Sequence, residues 1–150
     1  RRHSFPTRRS SDLEKLFQIF KNNFCNTSSD SLCYEKVRLE IIEGFDYSPS
    51  IAIDSIECMF NRLSKLLQYL NTNFPAENWG QYLDTANNIV FSKIIFSGHS
   101  QGGGHAALIA KHYAIQRALC FSSPKDYSGY FGRPAFWLST GSWQTGIDII

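Results

Sequence analysis

The sequence predicts an α/β fold built on a mostly parallel sheet with flanking helices. Three observations carry that prediction. An amphipathic helical repeat runs from Ser55 to Leu70. Two short apolar runs, 93–97 (KIIFS) and 115–122 (IQRALCFS), read as buried strands. Between them, Gln101 to Tyr113 reads as a helix with a small-residue start. Buried parallel strands show up as short apolar runs, and strands alternating with helices argue for parallel pairing through helical crossovers.

Composition agrees with one globular domain. The chain has 150 residues, of which 43% are hydrophobic and 19% charged, enough for a single core and unlike a disordered chain. No apolar run reaches the ~18 residues of a spanning helix, so no membrane span is expected. The formal charge of +2 depends on the N-terminus. Residues 1–13 (RRHSFPTRRSSDL) hold four of the 15 basic and one of the 13 acidic residues, and without them the net charge is −1. The stretch from His3 to Leu13 resembles a translated sequencing-adapter oligonucleotide. On that reading 1–13 is a disordered, non-native scar and 14–150 is the domain. No basic arm for nucleic acid then remains. The competing reading is a genuine basic tail.

Along the domain, Leu16, Phe17, Ile19, Phe20 and Phe24 suggest a short helix over 14–24. Cys25 and Cys33 flank a polar loop short enough for a local disulfide, which suits an oxidising compartment and gives the only lean on localisation, towards a secreted or extracytoplasmic protein. Cys58 and Cys120 fall on an apolar helix face and in a buried strand, where cysteine is usually a small core residue. The chain lacks a Cys-x-x-Cys pair and a metal-ligand cluster, so no metal or cofactor is expected. Asn26-Thr27-Ser28 matches a glycosylation sequon, a match common by chance.

Residues 31–43 admit two readings. Val37, Leu39 and Ile41 alternate like a strand, whereas Asp30 as a cap and Gly44 as a terminator favour a helix, the reading adopted. The segment 45–50 reads as a loop. In Ser55 to Leu70 the residues Ile56, Met59, Phe60, Leu63, Leu66, Leu67 and Leu70 follow helical spacing. Asp54 with Glu57 forms a capping-box pattern at its start. Trp79 to Leu83 reads as a short turn or helix, 125–146 as irregular, and Ile147 to Ile150 as the beginning of another strand.

The chemistry lies in Gly98-His99-Ser100-Gln101-Gly102, a G-x-S-x-G pattern. A bare match arises by chance in about one chain in twenty of this length. Context raises its weight, because an apolar strand precedes it and a helix follows, the setting a nucleophile elbow requires. At such an elbow the serine occupies a strained apex. Gly98 and Gly102 are expected to allow close backbone approach, and Gly103 and Gly104 to keep the first helical turn thin. Ser100 is the candidate nucleophile, and the backbone N–H of Gln101 a candidate oxyanion donor aided by the helix N-terminus. His99 and Gln101 are the variable flanking positions. A phosphate loop at Gly102 to Gly104 is a poor alternative, since no Lys-Ser/Thr follows.

The run SGHSQGGGHAALIAKHY, followed by a strand ending FSSPKDY, resembles the α/β-hydrolase superfamily. More narrowly it is similar to a mainly bacterial group sharing a GHSQGGGHA elbow. Arg38-x-Glu40, the Gly44-x-Asp46 loop and the PAFWLS segment at 134–139 resemble that group too. The resemblance spans about residues 25–150. It implies a serine hydrolase without naming its substrate, present as an incomplete, truncated α/β-hydrolase fold; a small ester-type substrate is the expectation for chemistry at Ser100.

The superfamily's order is Ser, acid, His. After Ser100 come only His105 and His112, both on the elbow helix. His105 is expected to pack between helix and sheet, and His112 to be a solvated helix-end residue. His99 is expected to face away from the nucleophile. Asp126 is a weak acid candidate, with turn capping as the alternative, and Asp148 begins the next strand rather than following it. The triad acid and the base histidine are therefore expected beyond Ile150 and one oxyanion donor before residue 14, so this segment by itself is expected to be inactive. Tyr130, Phe131, Phe136, Trp137 and Trp143 could line an acyl or aryl pocket, be core, or form a surface exposed by truncation. The alternative function is a non-catalytic binding scaffold with the elbow kept for packing.

Overall fold

The computed structural model describes residues 24–150. The N-terminal extension 1–13 and all but the last residue of the expected 14–24 helix lie outside the described residues. A four-residue helix α1 (Phe24–Thr27) leads into α2 (Cys33–Glu43) and α3 (Met59–Asn73). Short 3-10 turns at Pro75–Glu77, Trp79–Tyr82 and Phe91–Lys93 follow. Then come β1 (Ile95–His99), α4 (Gln101–His112), β2 (Arg117–Phe121), β3 (Tyr127–Ser128), β4 (Arg133–Pro134), α5 (Phe136–Ser139) and β5 (Ile147–Ile149).

The main sheet has three parallel strands in the order β1-β2-β5, as expected for an α/β chain. β2 is central, pairing Gly98 with Cys120 and Cys120 with Ile149. Helix α4 crosses from β1 to β2 and buries Ala106, Ala107, Leu108, Ile109 and Ala110 against Ala118 and Cys120. Small residues on both sides bring helix and sheet close together. Ile42 and Trp137 close the same core. The opposite sheet face carries Ile95 and Phe121, both exposed. β3 and β4 form a separate antiparallel pair.

The 31–43 ambiguity resolves as helix. Gly44 ends it in the left-handed region at φ 77°, donating its N–H to the Glu40 carbonyl. A residue without a Cβ takes that conformation at little cost. Asp30 lies just ahead of the helix and accepts the Leu32 N–H. Glu40 is buried and accepts backbone N–H groups from Tyr47, Ser48 and Ile53, which pins the 45–53 loop.

The helix expected from Ser55 starts later. Asp54 caps an isolated turn by accepting the N–H groups of Ile56 and Glu57, and Cys58 becomes the N-cap of α3, its sulfur accepting from Asn61. Cys58 is thus buried at a helix end rather than along an apolar face. The helix runs past Leu70 to Asn73. Of its described residues only Leu67 is buried, so the apolar repeat is satisfied only in part. Cys25 and Cys33 form a disulfide with Cα atoms 5.5 Å apart. No helix among the described residues is long and apolar enough to cross a membrane.

Candidate active site

Ser100 sits at the junction of β1 and α4 with φ 54° and ψ −114°. A non-glycine residue held there stores about 1–3 kcal/mol of strain, which surrounding structure must enforce. The enforcement is visible on both sides. The Ser100 N–H donates to the Phe121 carbonyl at 3.0 Å, extending the β1–β2 ladder, and its carbonyl accepts the Gly104 N–H at 3.1 Å. Gly104 is the first residue of α4 whose N–H reaches a carbonyl one turn back. The N–H groups before it form the open, electropositive helix start.

The glycines separate by role. A Cβ on Gly98 would lie 2.2 Å from the Gly102 carbonyl carbon, and one on Gly103 would lie 2.6 Å from the Ser123 Cβ and 2.7 Å from the Gly98 carbonyl oxygen. The elbow closes only because both lack side chains. A Cβ on Gly104 would meet the Arg38 guanidinium at 2.5 Å. Gly102 departs from expectation, because a Cβ there meets nothing within 4 Å. Gly102 supplies the backbone that Gly98 packs against, and its own missing side chain points into open space.

Ser100 is exposed at a cavity of about 450 Å³ shared with Gln101, Arg38, Asp126, Tyr34 and Tyr127. Asp126 is buried, and its carboxylate is taken up. Arg38 donates Nε to Oδ2 at 2.7 Å and Nη2 to Oδ1 at 2.5 Å, and Trp137 donates Nε1 to Oδ2 at 2.9 Å. The structure therefore places this acid candidate as the counter-ion of a buried arginine. Its partner lies 88 residues away in the chain, and no local signal announces it. Asp148 pairs with Arg117 on exposed strand positions.

None of the described histidines hydrogen-bonds the Ser100 hydroxyl. His105 is buried in α4, its Nε2 3.5 Å from the Gln101 amide nitrogen and its Nδ1 without a partner. Burial, with Arg38 nearby, pushes its pKa down to about 3, so it is neutral near pH 7. His112 pairs with Glu35 at 3.0 Å rather than standing free in solvent, and His99 is exposed at the end of β1.

The aromatic wall of the cavity comes from residues other than the five aromatics singled out in the sequence. Phe24, Tyr34 and Tyr127 line the cavity, with the Tyr34 hydroxyl donating to the Tyr127 carbonyl at 2.7 Å. Trp137 instead lies in the core with Trp143 beside it, and Phe131 stacks edge-on against Phe136 away from the cavity. Among the described residues no group of three or more His, Cys, Asp or Glu is placed to hold a metal ion.

Scanned against protein-family models, the chain matches none, and searches of curated proteins and of solved structures return no match.

Proposed function

We propose that this chain carries the nucleophile segment of an α/β-hydrolase-type serine hydrolase acting on a small ester-type substrate. The observation that supports it is Ser100 itself, a strained non-glycine residue at the carboxyl end of a parallel strand, exposed at a cavity and followed at once by a helix. Strain of this kind persists where the site uses it. In the proposed reaction the Ser100 Oγ attacks the acyl carbonyl carbon. The Gln101 N–H and the positive end of α4 stabilise the developing oxyanion. The hydroxyl proton passes to a base that none of the described histidines supplies, the ester C–O bond breaks as the alcohol leaves with that proton, and water then cleaves the acyl-enzyme to release the acid.

The test is covalent. In full-length protein that supplies the base, a fluorophosphonate probe, which reacts with activated serines by losing fluoride, is expected to modify Ser100. Mass spectrometry of the peptide spanning the elbow locates the adduct, and Ser100→Ala abolishes it. An unmodified Ser100 in folded protein that includes such a base would sink the hydrolase reading and favour a non-catalytic binding scaffold.

A further inference from the structure

The buried cluster beside the elbow has a geometry that stability alone does not call for. Arg38 spends Nε and Nη2 on Asp126, and its third nitrogen, Nη1, donates to the Gln101 carbonyl at 3.2 Å. Trp137 steadies the same carboxylate from the core side. The room for the guanidinium exists only because Gly104 has no side chain. Both charged side chains are 7% exposed. Burying such a pair costs desolvation, and apolar residues of similar volume often stabilise a fold as well or better. A cation at a helix N-terminus also faces the positive end of the dipole. Asp126 offsets that charge, leaving a rigid, near-neutral fork held against the residue next to the nucleophile.

We propose that Arg38 is a positioning residue: clamped by Asp126 and seated on Gly104, it holds the Gln101 carbonyl and so sets the orientation of the first turn of α4 beneath Ser100. The geometry stands by itself, and its chemical consequence, correct aim of the Gln101 N–H at an acyl oxygen, rests on the serine-hydrolase reading. Arg38 touches no reacting atom in this scheme and acts through the peptide it fixes.

The experiment compares the parent with Arg38→Met, Arg38→Lys and the double variant Arg38→Met/Asp126→Leu. The double variant leaves no unpaired buried carboxylate, but the Trp137 Nε1–H loses its acceptor, so it is expected to fold and to unfold at a temperature moderately below the parent's. Two quantities are read: amide hydrogen exchange over 104–108, and the rate of Ser100 modification by a fluorophosphonate. A positioning role predicts at least tenfold faster exchange over 104–108 relative to β2, and at least tenfold slower modification, in the double variant as well as in Arg38→Met. A folded double variant with parental exchange and parental modification overturns the proposal, since the pair would then be structural only. If a parent that includes the base is never modified, the hydrolase reading falls and the exchange measurement alone decides the role of Arg38. If the double variant fails to fold, Arg38→Lys decides by the same readouts. It keeps the charge beside Asp126 without the fork that also reaches Gln101, so parental values there overturn the proposal too.

Discussion

The guanidinium of Arg38 fills the volume that a side chain on Gly104 would need, with its central carbon 2.5 Å from the position of that missing Cβ. The far end of an arginine can ordinarily swing aside. Here it is clamped by two hydrogen bonds to Asp126, so Gly104 and Arg38 are fixed as a pair. The same reasoning ranks three glycines around Ser100.

Alanine substitution is expected to hurt in the order Gly98, then Gly104, then Gly102. Gly98→Ala drives a Cβ into backbone at 2.2 Å and should cost at least ~3 kcal/mol. Gly104→Ala must displace Arg38 and should cost about 1–3 kcal/mol. Gly102→Ala meets open space and should gain about 0.5 kcal/mol from helix propensity. Urea unfolding midpoints of the three variants check the order, and a strongly destabilised Gly102→Ala would contradict it.

Replacing Ser100 by glycine should separate stability from chemistry. Glycine adopts φ 54° without the penalty a side chain brings. Ser100→Gly is therefore expected to raise unfolding free energy by about 1 kcal/mol while abolishing fluorophosphonate modification. Equal or lower stability in denaturant titrations would mean that the apex is not strained in solution.

Stability should fall with acidity in a window set by His105. Folding lowers its pKa from 6.5 to about 3, so the unfolded chain takes up the proton first. Its contribution is complete above pH 6.5, declines as pH drops below that value, and levels off near pH 3. The slope approaches ~1.4 kcal/mol per pH unit in between. The difference in stability between parent and His105→Gln, followed from pH 7 to pH 4, isolates this group from the carboxylates. A pH-independent difference would refute it.

Removing the Cys25–Cys33 disulfide should loosen the cavity wall. The bridge closes a loop of sequence separation 8, worth about 2–3 kcal/mol in the chain-entropy account. The same loop holds the β3–β4 region, because Asn26 accepts the Gly129 N–H at 2.7 Å and Tyr34 donates to Tyr127. Cys25→Ser/Cys33→Ser is expected to lose that stability and to speed amide exchange at Gly129 and Tyr130. Unchanged exchange there would show that the hairpin is held by other contacts.

Much of the architecture was legible locally. Apolar runs marked β1 and β2 to within two residues at each end, and Gly44 marked the end of α2 because a left-handed terminator is a one-residue signal. The start of α3 was misplaced because two caps compete there. Asp54 captures the N–H groups of Ile56 and Glu57 in a turn of its own, which leaves Cys58 to start the helix. Proximity in sequence also made the Cys25–Cys33 pairing readable.

By itself, then, the sequence determined what backbone preference and short-range spacing can encode: the strand–Ser100–helix junction, the parallel alternation, the local disulfide. Tertiary structure alone decided that Asp126 serves Arg38, that Trp137 is a core donor, that Phe24, Tyr34 and Tyr127 wall the cavity, and that Gly102 faces open space. The physical reason is range. Periodicity and capping act within a helical turn or two, whereas a buried charge finds its counter-ion only after packing has brought α2 against the segment that follows β2.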